Sequence, residues 1–183
     1  YGGEDMINQN KISEEVISTL IELSKDIIGE KAVNLVLNHL KSEGKEQSSS
    51  GEYVVFAFAD EIQKLFGRQG GYAIARQLGR EVAKVLQEKY PKEEWEKVLE
   101  SALSVFGFAQ RISRNENGAY IHDCVFYPIL TEKGHKPIEH CVCWTGWGFI
   151  ERFVSKLEEG VKGIKWVERD VPNKKCKFIY IKG

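Results

Sequence analysis

Ten residues from His140 to Phe149, HCVCWTGWGF, hold two of the four cysteines, one of the four histidines and two of the four tryptophans in a chain of 183 residues. Thiolates with an imidazole or a carboxylate beside them form a natural zinc set, because this ion accepts sulfur, nitrogen and oxygen in a tetrahedral shell. Cys143 stands at or just before a helix start, Asp170 ends a strand, and Cys176 opens the strand that returns from it. Asp170 and Cys176 are therefore expected to meet near one hairpin tip. Cys143, Cys176 and Asp170 make a candidate metal set, with His140, Cys141 and Cys124 as candidates for the remaining position. Two other uses compete. Unpaired cysteines are among the most buried residue types and suit a plain core. A thiol at Cys141 or Cys143, beside His140 and a helix start, also suits a thiol-dependent enzyme.

The elements that must position these residues read as helices first and strands afterwards. Ser13 to Ile28 reads as a helix capped by Ser13, with Val16, Leu20, Leu23 and Ile27 as its stripe and Gly29 as its stop. Lys31 to Lys41 repeats the pattern, and the polar stretch Ser42 to Glu52, with its SSSG, reads as a linker. Residues 1–51 are thus expected to be a helical hairpin and linker, and residues 52–183 the main body. The five residues before Met6 are expected to be a cloning remnant. Phe56 to Phe66 and Tyr72 to Lys89 read as helices separated by a turn at Gly70-Gly71, and Pro91 opens another helix that Gly107 ends. The GRQGG cluster lacks the Walker spacing and its closing Lys-Ser/Thr.

From Gly107 the period becomes alternating. Phe108 to Arg114 and Ala119 to Phe126 read as a hairpin about the turn 115–118, with Tyr120, His122, Cys124 and Phe126 on one face. A helix near Cys141 presents Gly146, Ile150, Phe153, Val154 and Leu157, and Ile164 to Asp170 pairs with Cys176 to Ile181 in a second hairpin. One helix between two hairpins predicts an α+β fold: an antiparallel sheet packed with helices and preceded by a helical hairpin.

Composition narrows the function classes. With 42% hydrophobic and 29% charged residues the chain is globular in type, and a formal charge of -1 gives no general case for direct nucleic-acid binding. The longest apolar run, Tyr53 to Ala59, is too short to span a membrane, and no signal-peptide pattern opens the chain. A cytoplasmic location is expected, where cysteines stay reduced.

The run Cys143-Trp-Thr-Gly-Trp-Gly-Phe-Ile-Glu151, followed by Trp166-Val-Glu-Arg-Asp170 and Cys176-Lys-Phe178, resembles the 4-vinyl reductase domain, also called the hydrocarbon-binding domain. The Gly107 to Phe126 hairpin, with Asp123-Cys124 near its end, fits the same pattern. The resemblance covers about residues 56 to 181. It implies an α+β fold related to vesicle-tethering transport-particle subunits, a pocket for a small apolar molecule between helices and sheet, and a zinc site. Phenol-sensing members hold zinc through three cysteines. Val142-Cys143-Trp144 matches the first and Cys176 the third, while Asp170 or Glu168 falls where the second cysteine would be. The expected function is a non-enzymatic binding or sensor module for a small apolar ligand, with a homodimer as partner state. Phe106, Phe108, Tyr120, Phe126, Trp144 and Trp147 are its expected ligand-binding residues. The alternatives are a tetrapyrrole vinyl reductase component, a thiol-dependent enzyme, and a scaffold or assembly subunit. The chain shows no Rossmann glycine fingerprint for a nicotinamide cofactor.

Overall fold

Asn8, not Ser13, starts the first helix: its side-chain oxygen accepts from the N–H groups of Asn10 (3.0 Å) and Lys11 (3.2 Å), which have no partner inside the helix. The computed structural model describes residues 7–43, 51–136, 138–170 and 172–183, so the proposed remnant and most of the SSSG linker lie outside the described residues. Helix α1 (Gln9–Ile28) ends at Gly29 (φ 87°), and α2 (Glu30–Ser42) turns back from it as the expected hairpin. Buried Ile12, Val16 and Leu20 carry α1 onto α3 and α4, in one continuous core with the body. The Tyr90 hydroxyl donates to Glu15 (3.0 Å) across the same contact.

Helix α3 (Gly51–Lys89) is broken once, at Gly67 (φ 73°, ψ -178°). The turn expected at Gly70-Gly71 therefore lies three residues earlier, where the backbone takes the conformation that glycine adopts at no steric cost. After a 3₁₀ turn (Lys92–Glu94) behind Pro91 comes α4 (Trp95–Val105), closed by Gly107. Strands β1 (Arg111–Arg114) and β2 (Gly118–His122) pair antiparallel about the Asn115 turn. The second strand ends four residues sooner than its alternation suggested. Asp123 takes φ 62°, and the N–H groups of Asp123 and Cys124 turn to the Lys174 carbonyl. Phe126 then opens a short helix, α5 (Phe126–Glu132), that alternation had concealed.

Helix α6 (Cys141–Leu157) is followed by β3 (Val161–Asp170) and β4 (Lys175–Lys182). The sheet is antiparallel in the order β1-β2-β4-β3, as the α+β reading requires. Among the described residues no helix is long and apolar enough to cross a membrane.

Helix α6 lies between the sheet and α3. It buries Phe149, Ile150, Phe153 and Val154, and the sheet contributes Ile121, Ile164 and Phe178 to the same core. On its other side two glycines let backbones meet. A Cβ on Gly79 would stand 2.0 Å from the Thr145 carbonyl oxygen, and one on Gly148 would stand 1.9 Å from that of Arg76. Beside this crossing Glu151, only 3% exposed, accepts from Arg76 (2.7 and 2.8 Å), Arg80 (2.6 Å) and the Ile164 N–H (3.3 Å). One carboxylate thus joins α3, α6 and β3.

Gly148→Ala should lower stability by about 3 kcal/mol, at the upper end of overpacking costs, because both clashing groups are helix backbone. Gly70→Ala, whose Cβ would meet nothing nearer than 3.8 Å, should be neutral or stabilising by up to about 1 kcal/mol. Urea unfolding of the two variants checks the contrast. Removing residues before Gly51 should leave an aggregation-prone body, read by size-exclusion chromatography, because the surface covered by Ile12, Val16 and Leu20 is uncovered.

Candidate functional site

Successive turns of α6 bring Cys143, Gly146 and Ile150 to one side, toward α5 and the sheet. Opposite them stand Ile121 of β2, Trp166 of β3 and Cys176 of β4. Phe126, Tyr127 and Leu130 of α5 close one end, with Phe108, Cys124 and Ile138 from the connecting segments. Between them lies a cavity of about 40 Å³. The loop before α6 is tied across it: the Ile138 N–H donates to Cys143 Sγ (3.4 Å), and Trp144 Nε1 donates to the Ile138 carbonyl (2.9 Å). The Tyr127 hydroxyl bonds Cys176 Sγ.

Three of the four cysteines therefore share one wall system, and all are free thiols. Burial sets their protonation. It pushes Cys143 up to about 11, partly offset by the Ile138 N–H, and it raises Cys124 and Cys176 as well. Burial also raises Tyr127. At neutral pH the cavity wall is uncharged.

Among the expected ligand-binding residues, Phe108 and Phe126 line this cavity, their rings 4.9 Å apart. Phe106 is buried behind it against Phe149. Tyr120 lies under the ammonium groups of Lys175 (4.4 Å) and Lys177 (5.3 Å). Trp144 and Trp147 stack on each other at 4.7 Å, outside the cavity lining, with Tyr72 on Trp144 and the Arg76 guanidinium over Trp147. Tyr127, Leu130 and Ile138 were missed because α5 and the loop beyond it carry no alternation or stripe of their own. Trp166 and Ile150 were legible only as ordinary core.

The expected metal residues divide. Asp170 pairs with Lys175 and Arg169 with Cys176, so Asp170 and Cys176 point to opposite faces of the ladder. The Asp170 carboxylate instead accepts from the backbone N–H (3.3 Å) and side chain (2.8 Å) of Asn173, holding the turn. Glu168 pairs with Lys177. Cys141 faces α3: a Cβ on Gly71 would stand 2.9 Å from its sulfur, and its N–H donates to Gln63 (2.8 Å). His140 is wholly buried and caps α6, with Nδ1 accepting from the Val142 N–H (3.0 Å) and Nε2 facing Asp60 Oδ1 (3.0 Å). Among the described residues Cys124, Cys143 and Cys176 line the same cavity, but their sulfurs do not all lie within 4.8 Å of one another. Among the described residues the one group of three His, Cys, Asp or Glu ligand atoms all within 4.8 Å of one another is Asp60, His135 and His140.

Compared with protein-family models, curated proteins and solved structures, the chain matches none.

The raised thiols give a pH dependence with a definite sign. Cys143 titrates near 9 when unfolded and about 11 when folded, so its contribution to stability is complete below pH 9 and is lost as pH rises through 11. Urea midpoints measured from pH 8 to 11 should fall for the unsubstituted chain, and Cys143→Ala should fall less steeply. At pH 8 a thiol reagent should label Cys124, Cys141 and Cys176 only after unfolding.

Proposed function

We propose that this chain is a non-enzymatic binding module that admits a small, mostly apolar molecule between α5, α6 and the sheet. The observation that carries the reading is the cavity where they meet, walled by aromatic and aliphatic side chains and neutral thiols. An ionic guest would lose its hydration there with no charged partner, whereas an apolar guest loses nothing it needs. At about 40 Å³ the space accepts only a few heavy atoms as it stands. A guest of benzene size requires the Phe108 and Phe126 rings to move apart. The resemblance to the 4-vinyl reductase domain supports the same reading, since it implies a pocket of this kind in this place. In this reading the thiols of Cys124, Cys143 and Cys176 serve as uncharged wall groups.

Toluene is a suitable probe. At about a hundredfold excess over its Kd it should stabilise the fold by about 2.7 kcal/mol, a rise in Tm of about 5–10 °C for a chain of this size. Ile121→Phe, which fills the cavity from β2, should remove most of that rise while leaving a cooperative transition. Absence of any shift in the unsubstituted chain, or an equal shift in Ile121→Phe, would count against the reading.

A further inference from the structure

The cluster behind the α6 N-terminus takes no part in the thiol-lined cavity. Asp60 lies on the first half of α3, His135 follows α5, and His140 precedes α6. We propose that Asp60, His135 and His140 bind one divalent transition ion of the zinc, cobalt or nickel type, at a site that uses none of the cysteines.

Two imidazoles and a carboxylate are the donor set these ions accept. The three ligand atoms lie within 4.8 Å of one another, so a small inward movement of the His135 loop brings them around one ion. The His140 hydrogen bond, followed by Lys64, holds the Asp60 carboxyl down at about 2, so it is ionised at neutral pH. Burial, followed by His140, lowers His135, which leaves a lone pair available. Phe56 stacks on the His140 ring at 4.9 Å and 6°, and His135 meets that ring edge-on at 4.9 Å. A cleft of about 730 Å³ between α2, α3 and α5 reaches Phe56, Asp60 and Lys64 and supplies an entry path. Lys64 Nζ holds the second Asp60 oxygen at 3.1 Å, but its side chain is 69% exposed and can swing into water as the ion arrives.

Binding has a specific local cost. Because Nδ1 of His140 accepts from Val142, the ring proton sits on Nε2 and points at Asp60. An ion on Nε2 moves the ring proton to Nδ1, which can then no longer accept, so the Val142 hydrogen bond is broken. Leaving the buried Val142 amide without its acceptor reduces affinity by about five- to a hundredfold.

The test is titration of the full chain with Co²⁺ alone and Zn²⁺ alone, followed by calorimetry, cobalt absorption and amide exchange. One equivalent should bind with a Kd of micromolar order. The cobalt spectrum should show visible bands without thiolate-to-cobalt charge transfer, and Val142 amide exchange should quicken. His135→Ala, in a loop, and Asp60→Asn, close to isosteric, should each weaken binding at least tenfold, whereas Cys143→Ser and Cys176→Ser should not change it. No binding at millimolar ion, undiminished binding in His135→Ala, or a thiolate band lost in Cys143→Ser would each overturn the proposal.

Discussion

The backbone contact between α3 and α6 at Gly79 and Gly148 fixes nearly everything else in the molecule. A helix pair normally keeps its axes apart by the thickness of interleaved side chains. Here each glycine sits against a carbonyl of the other helix, so the pair is closer than any side chain would allow. Glu151 then sets the angle, because its carboxylate answers two arginines of α3 and a backbone N–H of β3 together. A buried carboxylate without these partners would be costly. Gly163, on β3, leaves room for it, since a Cβ there would stand 3.1 Å from a Glu151 oxygen.

With α6 placed, the packing on both of its sides follows. Toward the sheet, Gly146 leaves room for the Phe108 ring, which a Cβ would meet at 2.7 Å, and the cavity forms beside that ring. Toward α3, Gly71 leaves room for the Cys141 sulfur. The small residues of the HCVCWTGWGF stretch are thus as informative as its thiols and rings. Burial keeps those thiols protonated at neutral pH.

Much of the fold was legible from periodicity: the N-terminal hairpin, the α6 stripe and the two strand hairpins all carry a clear period of their own. The losses have local causes. Asp123, a non-glycine residue at φ 62°, ends β2 without any sequence mark, and the apolar alternation runs on through Cys124 and Phe126 into a helix. At the candidate site, Cys124, Cys143, Cys176, Phe108 and Phe126 could be named because cysteines and aromatic residues near a helix-sheet junction draw notice. Asp170 was misplaced by one residue of register, which in a strand reverses the face. Asp60 and His140 stand eighty positions apart, and no spacing rule joins them.

The first turn of α6 explains why a Cys-Val-Cys sequence does not act as a chelating pair. Residues two apart on a helix point about 200° away from each other, so Cys141 and Cys143 serve opposite sides, one packed on Gly71 and the other lining the cavity. His140 stands just outside the helix, where the backbone is still extended, and its ring reaches back to cap Val142. Val142 lies between the two cysteines, so its amide reports on His140 while its neighbour Cys143 walls the cavity. The Ile138 N–H, bonded to Cys143 Sγ, belongs to the same short loop as His135 and His140. The described part of that loop therefore touches both sides of α6: Ile138 bonds the Cys143 sulfur at the cavity, and the His140 ring caps Val142 and faces Asp60.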